Sequence, residues 1–219
     1  MDELRTGTLN RVCKLEFNCF GDKLGASDIA GNFYLYKFDL QPSSSRPQLS
    51  LLSTLSGSKT SDFAFFNLGS VVATIGYKPK PFLSIYDTLL PPSHAVVQSG
   101  IIGGSIMRYI SRYQQLIISS KKGNLDIYDI RQRKICQTVD TKHEEIRDIV
   151  ADTGELTIST GGKGGFVKIW DSARLTLRES IDVIGKRGRG WITQLEFVEN
   201  SLFAATSEGV VKFLRLLPS

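Results

Sequence analysis

One pattern recurs five times along the chain and limits what it can fold into. A turn residue is followed five positions later by a bulky residue that closes a short β-branched or aromatic run. The copies are "GNFYLYK" at 31–37, "PFLSIYD" at 81–87, "GNLDIYD" at 123–129, "GFVKIWD" at 165–171 and "GVVKFLR" at 209–215. Their anchor positions, Tyr36, Tyr86, Tyr128, Trp170 and Leu214, are separated by 50, 42, 42 and 44 residues. Self-similarity at about 40–45 residues belongs to arrays of four-stranded units, because one such sheet cannot bury its faces alone and must stack on a copy of itself.

The residues ahead of each anchor repeat as well. An alternating strand, a turn, a second strand ending in small residues and a tight hairpin come in that order: "SIMRYI", "QQLIISS", "KKG" and "NLDIYDI" in the third copy, "EIRDIVA", "GELTIST", "GGKGG" and "FVKIWD" in the fourth, "WITQLEF", "NSLFAAT", "SEG" and "VVKFLRL" in the fifth. Short strands of period two with turn residues at even spacing argue for an all-β propeller and against βαβ units. The glycine run "GGKGGFVKIWD" at 161–171 invites a phosphate-loop reading, but Lys163 is followed by Gly164 rather than Ser or Thr, and a strand rather than a helix comes next. It reads as a hairpin in which φ > 0 is needed. Blades are expected at about 7–58, 59–100, 101–142, 143–185 and 186–219, five four-stranded units in a single partial propeller. Only "LLPS" follows the last third strand, so the fifth blade lacks its outer strand, and either further blades, to the usual seven, lie upstream or the five form a tight or incompletely closed array.

Two chemistries of the fourth copy resemble WD-repeat proteins, in which a Trp-Asp pair ends the third strand and a His ahead of the first strand helps tie the blade. Here these are His143, Ser159 or Thr160, Trp170 and Asp171. The hairpin Asp of such repeats falls on Gly164, and the matching slots elsewhere hold Ala30, Lys122 and Glu208, so a complete internal hydrogen-bond network is not expected. Longer stretches are similar to the C-terminal propeller of the DmX-like, or rabconnectin, family: "GTLNRVCKLEFNCFGDKLGASDIAGNFYLYKFD", "TSDFAFFNLGSVVATIGYKPKPFLSIYDTLLPP", "LIISSKKGNLDIYDIRQRK" and "LFAATSEGVVKFLRLLPS". The resemblance runs from about residue 7 to the end. It implies a scaffold that supports V-ATPase assembly, like the large subunit of the RAVE complex, and acidification of intracellular compartments. It further implies V-ATPase subunits, RAVE-type proteins and small-GTPase regulators as partners, and a cytoplasmic place on endosomal or synaptic-vesicle membranes, reached through those partners.

Composition sets the remaining bounds. The net charge of +5 is too small to argue for a nucleic-acid partner, and no DNA binding is expected. No apolar run is long enough to span a membrane and "MDELRTGTLN" has no signal-peptide core. Cys13, Cys19 and Cys136 read as reduced thiols. With only His94 and His143 beside them, no metal site and no cofactor are expected. No G-x-S-x-G elbow is present, and the adjacent carboxylates of "HEEI" would point to opposite faces if a strand began there. Catalysis is not expected.

Two loops carry binding or regulatory readings. "GKRGRG" at 185–190 places Lys186, Arg187 and Arg189 where they could grip an acidic protein surface or, as the alternative, RNA phosphates or an anionic lipid. The segment 41–61 holds Ser43, Ser44 and Ser45, candidate phosphorylation sites, and a connection with "LSLLSTL" as its outer strand. Trp170, Tyr128, Phe166 and Phe213 are expected to pack between neighbouring blades.

Overall fold

A computed structural model describes residues 10–39, 48–55, 59–90, 96–99, 103–185, 188–199 and 201–215. The chain is all-β, and among the described residues a single 3-10 turn, Ser111–Tyr113, is the only helical segment. It divides into two compact units, one ending at Gly104 and the other beginning at Ser105.

The first unit holds two antiparallel four-stranded meanders. One is built from β1 (Val12–Phe17), β2 (Lys23–Asp28), β3 (Phe33–Asp39) and β4 (Gln48–Leu55); the other from β5 (Lys59–Phe66), β6 (Val71–Lys78), β7 (Phe82–Asp87) and β8 (Val96–Ser99). Phe33 and Leu35 of the first sheet pack on Phe63, Phe65 and Val72 of the second. The Phe33 and Phe63 rings stand 4.9 Å apart, so the apolar layer lies between the two sheets rather than within either. Polar ties supplement it: the Lys14 ammonium donates to Asp62 Oδ1 at 2.7 Å and to the Phe63 carbonyl at 2.6 Å. Burial alone would lower the Lys14 pKa, but the carboxylates of Asp62 and Glu16 outweigh it and raise it.

The second unit holds three sheets. They are β9 (Ile106–Ile110), β10 (Gln115–Ser119), β11 (Asn124–Asp129) and β12 (Lys134–Asp140); β13 (Ile146–Ala151), β14 (Thr157–Gly162), β15 (Phe166–Asp171) and β16 (Leu177–Asp182); and β17 (Ile192–Val198), β18 (Ser201–Thr206) and β19 (Val211–Arg215). Ile110, Ile117, Leu125 and Ile127 pack on Ile146, Ile149, Ile158 and Trp170. Val150, Val167 and Val183 pack on Ile192, Leu195, Leu202 and Ala204. The five meanders, the last with three described strands, have the make-up of blades in a WD-type β-propeller.

The repeat is also written in hydrogen bonds that composition does not reveal. Asp28 and Thr206 end second strands and Ser120 directly follows one, and each side-chain oxygen accepts the backbone N–H four residues on, from Asn32 (2.9 Å), Asn124 (3.2 Å) and Val210 (3.3 Å). The glycine three residues after each has φ between 77° and 87°. At Gly123 the demand is double, since a Cβ there would also sit 1.9 Å from the His143 carbonyl. After the third strands, Asp87, Asp129 and Asp171 accept the N–H two residues on from Leu89, Arg131 and Ala173, which folds the next turn.

Irregularities recur at fixed places too. The first-to-second strand pairings skip Cys13, Ser61, Arg147 and Thr193. Those between third and fourth strands skip Leu52, Cys136 and Arg178, each opposite an anchor aromatic. Such one-residue bulges raise the local twist and re-aim side chains without breaking the ladder.

Candidate interaction site and blade anchors

Of the repeat anchors, Tyr36, Tyr128 and Trp170 are buried, while Tyr86, Asp171 and Leu214 are half-buried. The buried one with most chemistry around it is Trp170, whose indole Nε1 donates to Thr160 Oγ1 at 2.9 Å. His143 Nε2 meets the same hydroxyl at 3.1 Å, so Thr160, not Ser159, joins the two rings. A three-member chain therefore forms although Gly164 supplies no carboxylate. Gly164 and Gly165 take φ of 83° and 74°, which makes the glycine run a hairpin turn between β14 and β15.

Burial, helped by the nearby Lys168 ammonium, holds the His143 pKa down, to about 4. Lys168 is buried, and its ammonium donates to the Thr141 carbonyl. Desolvation lowers its own pKa, with Asp140 opposing that effect. A buried imidazole and an indole meeting on one hydroxyl are suited to holding a blade together. Asp171 accepts from Arg178, whose guanidinium lowers its pKa, followed by the Arg174 N–H. Glu144 and Glu145 precede β13, which begins at Ile146, so they do not present paired carboxylates on strand faces.

Two aromatic expectations are corrected. Phe166 is 41% and Phe213 57% exposed, so neither is packed between sheets. Phe166 opens β15 at the hairpin, one turn beyond the buried Lys168 and Trp170 on its face. Phe213 points away from Leu214, whose face packs toward the neighbouring sheet, and instead meets Phe203 edge-on at 5.4 Å.

The basic loop is described in part, since Lys186 and Arg187 lie outside the described residues, as do Ser43, Ser44, Ser45 and His94. What surrounds it is well formed. Gly188 and Gly190 lie against Ile184: a Cβ on Gly188 would sit 1.9 Å from it, and one on Gly190 2.9 Å. Glycine is required at both places by close approach, and Arg189 between them is exposed. Trp191 follows, with its N–H donating to Ser207 Oγ at 3.0 Å and its carbonyl accepting from Ser207 N–H at 2.9 Å. It also forms an antiparallel bridge with Lys163. Its ring is 40% exposed and carries the Arg147 guanidinium at 5.7 Å. Glu145 pairs with both Arg147 (3.3 Å) and Lys163 (3.4 Å). Only Arg189 among these was visible as a candidate in the sequence; Arg147, Lys163 and Trp191 come from three separate segments.

Among the described residues no group of three or more His, Cys, Asp or Glu side chains could hold a metal ion, and no helix is long and apolar enough to cross a membrane. Cys13, Cys19 and Cys136 are free thiols. No family model matches the chain. It is 27% identical to mouse DmX-like protein 1 and 26% identical to human DmX-like protein 1, in each case over 98% of its length. It spans about 8% of the length of these relatives. Similarity along nearly the whole chain to two DmX-like proteins supports its place in the DmX-like family.

Proposed function

We propose that the chain is a non-catalytic protein-interaction module, the C-terminal propeller segment of a DmX-like scaffold that promotes V-ATPase assembly and so acidification of intracellular compartments. The observation that carries this reading is the similarity to DmX-like protein 1 over 98% of the chain. The repeat period supports taking 1–219 as one partial propeller with blades at about 7–58, 59–100, 101–142, 143–185 and 186–219. Its partners are V-ATPase subunits, RAVE-type proteins and small-GTPase regulators, and through them it reaches endosomal or vesicle membranes from the cytoplasmic side. The anchors Tyr36, Tyr86, Tyr128, His143, Trp170, Asp171 and Leu214 serve stability, while contact with partners falls to rim loops such as 185–190.

The test is a pull-down of tagged 1–219 from nuclease-treated cytosol at about 0.15 M salt, scored for soluble V-ATPase subunits, with Trp170→Ala as an unfolding control. Retention by the folded chain alone supports the reading. Failure of a monomeric, cooperatively folding chain to retain any subunit removes it for this segment.

A further inference from the structure

We propose that Trp191, Arg147, Lys163 and Arg189 form a preorganised docking site for an acidic, extended protein segment, on the rim where β13, the β14–β15 hairpin and the connection into β17 meet. The proposal rests on the protein-interaction reading above and names the surface and the chemistry of what it binds.

Three observations carry it. The site is built rather than incidental: the Trp191 backbone is clamped at both polar atoms by Ser207 and bridged to Lys163, and its ring carries Arg147, so little backbone ordering is left for a partner to impose. Large aromatic rings held rigid and half-exposed, with Arg beside them, are the side chains that dominate binding energy in protein interfaces. The loop that carries Arg189 is held by close packing of Gly188 and Gly190 on Ile184, which fixes the backbone on either side of the guanidinium.

Charge decides the partner. Arg147 and Lys163 share one carboxylate, Glu145, at 3.3 and 3.4 Å, and each is 40% or more exposed. Arg147 over the ring and Lys163 at the bridge thus share a single carboxylate, Arg189 stands two residues before Trp191, and Glu208 borders the loop near Gly188 and Gly190. An incoming Asp or Glu can pair with Arg189 and take a share of Arg147 or Lys163 without stranding a buried charge. Among the described residues the indole N–H meets no acceptor, and a backbone carbonyl of an extended segment supplies one. A duplex or a membrane plane would ask for a broader, unpaired cationic surface than one interrupted by Glu145 and Glu208. An acidic peptide needs only a few opposed charges and one apolar face.

The experiment uses the whole 1–219 chain and a fluorescein-labelled peptide of alternating Asp and Glu with a central Leu, followed by anisotropy at about 0.05 and about 0.3 M salt. Saturable binding that weakens with salt is expected, with Trp191→Ala and Arg189→Gln each weakening it about tenfold. The exposed cation change Lys80→Gln, in the first unit, should leave it unaltered. Thermal melting accompanies each variant; if Trp191→Ala melts early, Arg189→Gln, in an exposed loop, decides alone. Absence of saturable binding by the folded chain, equal binding of an Asn/Gln peptide, or indifference to both substitutions overturns the proposal. So does displacement of the peptide by single-stranded RNA or by phosphatidylserine vesicles at lower concentrations than unlabelled peptide. If the peptide does not bind while V-ATPase subunits are retained in the pull-down, the scaffold reading stands and this surface is not its contact.

Discussion

Asp148 Oδ2 lies 2.6 Å from the backbone nitrogen of Leu195 and accepts its proton, so a side chain of β13 completes the hydrogen bonding of β17 in the next sheet. The same carboxylate accepts the Ile149 N–H at 2.8 Å on its own strand. Asp148 follows the bulge at Arg147, and that extra residue is what aims the carboxylate across the gap.

Asp148→Ala should therefore loosen the junction between two sheets rather than one strand. Loss of a charged hydrogen bond and exposure of an unpaired N–H costs about 1.5–3 kcal/mol. Urea unfolding checks the size, and faster amide exchange at Leu195 checks the location; unchanged exchange there would refute the tie.

Trp170→Ala removes a buried ring from the layer between the third and fourth sheets and should cost about 3–5 kcal/mol. Trp170→Phe keeps most of the apolar area but withdraws the N–H from Thr160. Its smaller loss, about 1 kcal/mol, isolates the hydrogen bond. A near-neutral melt for Trp170→Ala would place the ring outside the core.

Acid should destabilise the second unit through His143. Its pKa is about 4 in the folded chain against an ordinary 6.5, so between those values the unfolded chain binds the extra proton. Stability is full above pH 6.5 and falls as pH drops toward 4, by at most about 3 kcal/mol. His143→Gln should flatten that part of the stability curve. Urea midpoints measured from pH 7.5 to 4.5 for both proteins test it.

Asp28 supplies a second, lower window. Burial alone would raise its pKa, but hydrogen bonds from the Asn32 side chain and backbone, Asn10 and Tyr34 bring it to about 2. Its contribution is present above 3.8 and lost as pH falls toward 2, up to about 2 kcal/mol. Asp28→Asn, tested at neutral pH, should lower stability by about 1–3 kcal/mol because four donors lose a charged acceptor; a melt matching the parent would mean that the turn holds itself.

The parts legible in the sequence are those set by local pattern. The aromatic anchors and hairpin glycines mark third strands because β-branched runs and positive-φ turns leave composition signals. The oxygen caps Asp28, Ser120 and Thr206 were within reach, each standing three residues before a turn glycine. The bulges were not, since nothing about Cys136 or Arg178 distinguishes an extra residue from a paired one. Phe166 and Phe213 show the limit of residue type: an aromatic states what it would do if buried, and only the strand's phase and its neighbour decide whether it is. The interaction surface was hidden for a different reason, as Arg147, Lys163 and Trp191 are brought together only by the pairing of separate segments.

The bulges opposite the anchors leave one further mark. Leu52, Cys136 and Arg178 are squeezed out of the ladder at equivalent points of three outer strands, and all three are exposed. An aliphatic, a thiol and a cation occupy the same station, so it demands no one chemistry, although Arg178 uses it to pair with Asp171. Three of the five sheets thereby carry on their fourth strand a position whose chemistry can drift while the aromatic opposite it stays fixed. The outer edge of the array is where related chains can acquire different surfaces without rebuilding anything inside.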